Sequence, residues 1–319
     1  MKRYELGSTG IFVAPIIMGT WQAGKDMWAG IEDQETTKAI KAAVEAGMNV
    51  IDTAEVYGSG HSERIVAQAI SGIREKVVLA TKVFANHLSS DEVLKACHRS
   101  LRNLKTDTID LYQIHWPAGS FGTAQVPVGE TMSALNRLKE DGKIRAIGVS
   151  NFSRQQIEEA SQHGEIVSLQ PPYSLLWRQM ENESLAYCQS QNIVVLAYSP
   201  MAQGILSGKF GSTPSFAKGD HRSKNKLFQP TVFRHVLKAL AKLKTIAERN
   251  EMTMAQLALA WVISHDGVCA IAGARNAKQA IENAQAAETV LSSEDLTEMD
   301  RISREVNDQL PESKMMWNF

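Results

Sequence analysis

Short runs rich in Val and Ile recur along the chain, separated by segments with apolar residues at helical spacing. Eight runs read as strands: Ile16–Met18, Val50–Asp52, Val77–Thr81, Ile109–Gln113, Arg145–Val149, Ile166–Leu169, Ile193–Ala197 and Val268–Ala272. They lack the polar alternation of a strand with one wet face, as parallel strands buried on both faces do. Between them, Asp33 to Glu45 places Ala39, Ile40, Ala43 and Val44 on one helical face, with Gly47 set to end the helix. Ser89-Ser90-Asp91-Glu92, Ser153-Arg154-Gln155-Gln156 and Asn276-Ala277-Lys278-Gln279 read as helix starts of capping-box form. Eight strand–helix units predict an α/β fold, a (β/α)8 TIM barrel, with residues 1–319 as a single domain. Right-handed crossovers around a closed sheet leave no edge strand.

Three segments depart from the repeat. Tyr4 to Val13 reads as two short strands around a Gly-flanked turn, an N-terminal β-hairpin over one end of the barrel. The interval from Ile193 to Val268 is longer than one unit needs. Gly204–Pro230, with four Gly and two Pro, reads as a long loop after strand seven, followed by helices at about Phe233–Arg249 and Thr253–Ser264. Loops of that length are usually functional or disordered. An extra C-terminal helix near Ser292–Ile302 and a tail to Phe319 close the chain.

Composition narrows the function. The 34 basic and 35 acidic residues give a formal charge of −1, so there is no basic footprint for nucleic acid. No run is apolar enough to span a membrane, and the charged start, Met1 to Glu5, leads into no signal-peptide core. The three cysteines, Cys97, Cys188 and Cys269, fit neither a disulfide framework nor a zinc spacing. A cytoplasmic location is the simplest expectation.

In such a barrel the chemistry lies at the C-terminal ends of the strands. Strand two runs into Asp52-Thr53-Ala54-Glu55-Val56-Tyr57-Gly58, strand three ends at Thr81-Lys82, and strand four runs into His115-Trp116-Pro117. Taken singly, these residues have plainer roles: a capping carboxylate, a rim aromatic, a solvated cation, a packed histidine. Together at one rim they have a chemical use. A Lys ammonium ~4 Å from a phenolate interacts with it by roughly 4 kcal/mol at an effective dielectric of ~20. Lys82 is therefore expected to lower the Tyr57 pKa by ~3 units, toward the range of a general acid. Asp52 would hold Lys82, and His115 would orient a carbonyl oxygen. A hydride for that carbonyl has to come from a cofactor, since no side chain supplies one.

These motifs resemble the aldo-keto reductase family over nearly the whole chain. They are Gly19-Thr20-Trp21, Asp-Thr-Ala-x-x-Tyr-Gly at 52–58, Thr81-Lys82, Ile-His-Trp-Pro at 114–117, Val149-Ser150-Asn151, Tyr198-Ser199-Pro200 and Gly273-Ala274-Arg275. The branch most similar is that of the bacterial enzymes with a Gly-Ala-Arg or Gly-Ala-Lys turn. The resemblance implies NADPH extended across the rim and reduction of aldehydes or ketones, with no metal. It makes Tyr57 the general acid and Asp52, Lys82 and His115 its partners. Gly19, Thr20, Trp21 and Asp52 match positions at the cofactor. Ser150, Asn151 and Gln170 match those that bind the nicotinamide carboxamide, and Tyr198 the aromatic that stacks on its ring. Ser199, Pro200, Met201, Gly204 and Leu206 belong to the loop around the pyrophosphate. Gly273, Arg275, Gln279, Glu282 and Asn283 match the adenosine end, with Lys209 and Arg222 as further contacts. Ala272 stands where many members have Pro, and Gly273 where other branches have Lys, so the phosphate contact falls on Arg275.

Gly58-Ser59-Gly60-His61-Ser62-Glu63 imitates a dinucleotide-binding fingerprint, but Glu63 replaces its last glycine. Trp21, Trp28, Tyr57, His115, Trp116 and Trp177 are candidates to line the substrate pocket. An alternative on the same fold is a cofactor-sensing regulatory subunit like the potassium-channel β-subunits; it would show a long N-terminal extension, whereas the hairpin here starts at about residue 3. A metal-dependent hydrolase would need more His and carboxylate ligands than His115, Asp52 and Glu55. The expected partner is a small aldehyde or ketone, and the sequence carries no signal of oligomeric state.

Overall fold

The computed structural model describes residues 2–26, 28, 30–311, 313 and 315–317. Strands β1 (Tyr4–Glu5) and β2 (Phe12–Val13) form an antiparallel hairpin with Tyr4 opposite Val13. Eight parallel strands follow: β3 (Ile16–Gly19), β4 (Val50–Asp52), β5 (Val78–Val83), β6 (Ile109–Ile114), β7 (Ile144–Ser150), β8 (Ser168–Gln170), β9 (Val194–Tyr198) and β10 (Val268–Gly273). They pair in chain order, and β10 closes the barrel on β3. The predicted barrel and hairpin are both present.

The strand ends differ from the sequence reading in one direction. Strand β5 continues through Lys82 to Val83, β7 to Ser150, β8 to Gln170 and β9 to Tyr198. Apolar patterning stops each run early, because the last residue or two of these strands carry the polar groups of the rim.

The hairpin plugs the other end. Leu6, Ile11 and Val13 are buried against Ile17, Val50, Leu111 and Leu196 from the barrel interior. Outside the barrel, the helix Asp33–Glu45 buries one stripe through Thr36, Ala39, Ile40 and Ala43, whereas Met254–Ile263 buries every residue from Leu257 to Val262. Ser153 and Gln156 form a full capping box. Asn276 caps its helix, but Gln279 turns its side-chain oxygen to the Arg275 N–H instead of completing a box. Ser89 makes no side-chain cap, and a box at Thr253–Gln256 appears where the reading placed only a helix start.

The long loop is a chain of 3-10 turns, at Ala202–Ser207, His221–Lys224 and Lys226–Phe228, before the helix Pro230–Arg249. The next helix is Met254–Ile263, and the C-terminal one runs over Ser293–Asn307, beyond the predicted Ile302, because Val306 extends its buried stripe. The tail then returns across the rim. Lys226 donates its N–H to the Met316 carbonyl at 2.8 Å and its Nζ to Ser313 at 2.6 Å. No helix among the described residues is long and apolar enough to cross a membrane.

Candidate active site

Three neighbouring strands, β4, β5 and β6, end at one point of the rim. Lys82 is fully buried there. Its Nζ donates to Asp52 Oδ1 at 2.6 Å, to the Thr53 carbonyl at 2.7 Å and to the Tyr57 hydroxyl at 3.4 Å. Asp52 Oδ2 accepts from Gln170 at 2.9 Å and Gln113 at 3.3 Å. The His115 ring stands edge-on to the Tyr57 ring, with centres 5.7 Å apart. Its Nδ1 is buried without a hydrogen-bond partner.

The turn that presents Tyr57 is built on glycine. Gly58 has φ +61°, and a Cβ on it would come within 2.3 Å of the Gly24 carbonyl oxygen. A Cβ on Gly24 would in turn meet the Tyr57 backbone at 2.6 Å. Two loops thus touch backbone to backbone, and any side chain at either position displaces the phenol.

Charge states follow from the surroundings. Burial alone would depress the Lys82 ammonium, but Asp52 and Tyr57 outweigh it and hold the pKa above the ordinary lysine value. Burial, with Lys82 adding repulsion, pushes His115 well below the usual imidazole range, so it is neutral at pH 7. Burial raises the Tyr57 phenol; Lys82 pulls it down and Asp52 pushes it up, and the balance lies above the usual tyrosine value. This corrects the expected lowering of Tyr57. A lysine whose charge is opposed by a carboxylate at 2.6 Å offsets only part of the desolvation of the phenolate.

Beside this cluster lies a second set of polar groups. The Tyr198 hydroxyl donates to Asn151 Oδ1 at 2.9 Å, and Asn151 Nδ2 donates to the His115 carbonyl and to Ser150 Oγ, both at 3.0 Å. Asn151 and Ser199 both adopt positive φ, +62° and +53°, which fixes where β7 and β9 release their loops. Further along, Lys209, Arg222 and Arg275 lie close enough to repel one another. After burial, the charges of Arg222 and Arg275 are what hold the Lys209 pKa low, and Asp220 is the nearby counter-charge.

The sequence profile of the aldo/keto reductase family matches residues 15–304. The chain is 36% identical to an NADH-specific methylglyoxal reductase of Escherichia coli, over 94% of this chain and 97% of that protein. Its fold is similar to that of a glycerol dehydrogenase from Gluconobacter oxydans, with a TM-score of 0.88, 33% identity and 98% of each chain covered. It is also similar to an aldo-keto reductase from Klebsiella pneumoniae solved in complex with NADPH, with a TM-score of 0.79, 32% identity and both chains covered in full. The chain belongs to the aldo/keto reductase family.

For an aldo/keto reductase chain, the expected rim residues divide into three groups. Asp52, Tyr57, Lys82 and His115 converge, and Ser150, Asn151, Gln170 and Tyr198 lie in one hydrogen-bonded network beside them. Others are buried and act as frame: Thr20 bonds the Asp52 carbonyl and Ser62, Leu206 is packed in the core, and Asn283 bonds the Gly273 carbonyl. One expectation fails. Trp177 is fully buried in the core between barrel and helices, so it lines no pocket. Arg222 is clamped by Asp220 through Nε at 2.9 Å and Nη2 at 2.5 Å, and packs over the rings of Trp28, Phe210 and Phe216. The false fingerprint at Gly58–Glu63 is structural: buried Glu63 accepts from Thr81 and Asn103.

The sequence reading missed Gln113, His221 and Trp317. Gln113 was a polar residue near the C-terminal end of a strand whose charged residue, Asp110, lies near its start, a signal that was present but not used. His221 and Trp317 pack on Trp21, with ring centres at 5.5 and 6.3 Å, and Trp317 also lies 6.0 Å from Tyr198. The long loop brings His221 there, and the return of the tail across the rim brings Trp317.

Proposed function

We propose that this protein reduces aldehydes or ketones to alcohols with NADPH, Tyr57 acting as the general acid. The observation that carries the reading is the fully buried Lys82, ion-paired to Asp52 and in reach of the Tyr57 hydroxyl, with neutral His115 edge-on beside it.

The residues at the rim fit a nicotinamide dinucleotide phosphate. Lys209 and Arg275 form a cationic region suited to phosphates, and the amide of Gln203 is buried with its Nε2 unpartnered beside Gly204. Arg275 and Lys209 would hold the phosphates, Ser150, Asn151 and Gln170 the carboxamide, and Tyr198 the ring face. The cofactor supplies the hydride when bound. Tyr57 holds the proton that the carbonyl oxygen takes up. Its raised pKa keeps it protonated through neutral pH, so the donor is loaded before each turnover. Lys82 stays charged and stabilises the phenolate left behind. Neutral His115 donates to, and so orients, the carbonyl oxygen without competing for the proton.

One relative is named NADH-specific and one solved neighbour holds NADPH. The Arg275 guanidinium favours the phosphorylated cofactor here. The test is cofactor oxidation over a panel of aldehydes, ketones and dicarbonyls with each cofactor. Turnover with NADPH is expected; absence of oxidation with every carbonyl would overturn the reading.

A further inference from the structure

Three buried hydroxyls lie directly behind the groups that hold Lys82. They belong to Thr20, Thr53 and Ser62, all essentially without solvent contact. Ser62 sits in the first turn of the helix His61–Ala69. Its Oγ lies 2.8 Å from Thr20 Oγ1 and 2.9 Å from Thr53 Oγ1, and donates to the Thr20 carbonyl at 2.9 Å. Thr20 Oγ1 donates to the Asp52 carbonyl at 2.9 Å. A hydroxyl carries one proton, so three protons serve these four contacts, and Ser62 Oγ takes part in three of them. Among the described residues, Thr53 Oγ1 has no hydrogen-bond partner besides Ser62. A serine in a first helical turn is ordinarily spent on the free N–H groups of its own helix. This one is turned away from them, toward the ends of β3 and β4.

We propose that Ser62 is a positioning residue that sets the gap between the Lys82 ammonium and the Tyr57 hydroxyl. The proposal rests on the reductase reading for the use to which that gap is put. Both sides of the gap hang on Ser62. On one side, Lys82 Nζ is held by the Thr53 carbonyl at 2.7 Å and by Asp52 at 2.6 Å. Ser62 fixes that stretch of backbone through the Thr53 hydroxyl and, by way of Thr20, through the Asp52 carbonyl. On the other side, the Ser62 N–H donates to the Tyr57 carbonyl at 3.1 Å. Gly24 presses on the same turn, so the phenol is gripped between two backbone contacts. At 3.4 Å, the contact from Lys82 to Tyr57 is already beyond the usual range of roughly 2.7–3.2 Å. A small displacement of either anchor therefore breaks it.

The experiment removes the hydroxyl and keeps the N–H, in Ser62→Ala. kcat is expected to fall about tenfold, short of the roughly 100-fold that a misplacement of about 1 Å costs. KM and NADPH affinity are expected to stay near the wild-type values. The pH profile reads the gap itself. Tyr57 is faced by Lys82, Asp52, His115 and Tyr198, of which His115 is neutral and Tyr198 is held well above the usual phenol range by burial. Lys82 is the group among them that lowers the Tyr57 pKa. A wider gap weakens that pull, so the alkaline limb of kcat is expected to move to higher pH. Thr53→Val, which keeps the side-chain shape, is expected to act in the same direction by a smaller factor, and it carries the test if Ser62→Ala does not fold. The double variant is expected to be no worse than Ser62→Ala, since the two hydroxyls act through one contact. Ser303→Ala is the control for lost stability alone: its buried hydroxyl donates to the Leu175 carbonyl, outside the rim cluster. Unchanged kcat and pH profile in both Ser62→Ala and Thr53→Val, or an equal shift in Ser303→Ala, would overturn the proposal. So would a fall in NADPH affinity that accounts for the whole loss of rate. A readout without substrate separates the proposal from the reductase reading. Tyrosine isotope-labelled at Cζ is followed by NMR through an alkaline titration, with Tyr57 assigned as the signal missing in Tyr57→Phe. A Tyr57 ionisation moved upward in Ser62→Ala supports the proposal even in a protein that turns over no carbonyl, and an unmoved one refutes it.

Discussion

Two buried carboxylates gather cations at opposite ends of the barrel. At the floor, Asp110 near the start of β6 accepts from Arg74 at 2.7 Å, Arg145 at 2.7 Å and the Leu79 N–H at 2.9 Å. Arg74 spends its remaining donors on the Val77 and Thr108 carbonyls and on Thr106. Both oxygens of Asp110 are engaged, the Arg145 side chain stays half exposed, and the cluster ties β5, β6 and β7 into register. At the rim, Asp52 is also well held, by Lys82, Gln113 and Gln170. The cluster is nevertheless left open: Lys82 reaches on to the Tyr57 hydroxyl at 3.4 Å, and His115 Nδ1 has no partner. The same ingredients stabilise where they are saturated and offer chemistry where one valence is left over.

The largest effect that tests this contrast is at the open end. Tyr57→Phe keeps the ring and removes the proton. Turnover is expected to fall by about 10²- to 10⁴-fold, the usual range for a general acid, with NADPH affinity near that of the wild type. Single-turnover rates and a fluorescence titration of NADPH measure both. Near-normal turnover would show that the open valence at Lys82 is not used through Tyr57.

The pH profile separates the roles of the two charges beside that phenol. In the proposed mechanism reduction needs Tyr57 protonated, so the rate is expected to be lost as pH rises through its pKa. Because burial and Asp52 hold that pKa above the usual value near 10, the rate is expected to be flat through neutral pH and to fall only in alkaline solution. Lys82 pulls the phenol pKa down and Asp52 pushes it up. Lys82→Met is therefore expected to slow turnover and move the alkaline limb to higher pH. Asp52→Asn is expected to move it to lower pH. Shifts of the two variants in the same direction would break the electrostatic account.

How much of this was legible depended on what each residue does. The barrel was readable because strands buried on both faces leave short apolar runs without polar alternation. Asp52, Tyr57, Lys82 and His115 were readable because each lies within or just after such a run. The direction of the Tyr57 pKa was not, since it turns on how much water the phenol loses and how far Asp52 cancels Lys82. Those are distances, not spacings. The clamp of Asp220 on Arg222 was hidden for a related reason: residues two apart in a loop pair only if a turn brings them round. His221 and Trp317 lie 96 positions apart and meet only in the folded chain.

At the floor, Asp110→Asn removes the charge shared by two arginines and keeps the side-chain shape. Loss of charge-assisted hydrogen bonds of this kind costs about 1–3 kcal/mol of stability. Thermal and denaturant unfolding are expected to show that loss, while kcat per folded molecule stays near the wild-type value. A large fall in kcat with unchanged stability would dissolve the division between the two ends.

The smallest effect tests the contrast inside one loop cluster. Arg222 resembles the floor, since Asp220 grips it at two nitrogens. Arg275 resembles the rim: among the described residues no ion pair or side-chain hydrogen bond engages its guanidinium, and only its backbone N–H is taken, by Gln279. NADPH differs from NADH by a 2′-phosphate carrying roughly −1.5 to −2 charge. A free guanidinium can grip such a group with two parallel hydrogen bonds, whereas one already paired must first give up its carboxylate. A charge-assisted bond contributes about 1.5–3 kcal/mol, or roughly 10- to 150-fold in affinity. The wild type is therefore expected to bind NADPH over NADH by at least about tenfold, at the low end of that range because the site is partly exposed. Arg275→Ala is expected to reduce the ratio mainly through weaker NADPH binding. Arg222→Ala is expected to loosen the loop while changing the ratio little. Dissociation constants for both cofactors on all three proteins decide the matter. A ratio that survives in Arg275→Ala and collapses in Arg222→Ala would mean that the Asp220 clamp opens for the phosphate, and that a saturated cluster can act after all.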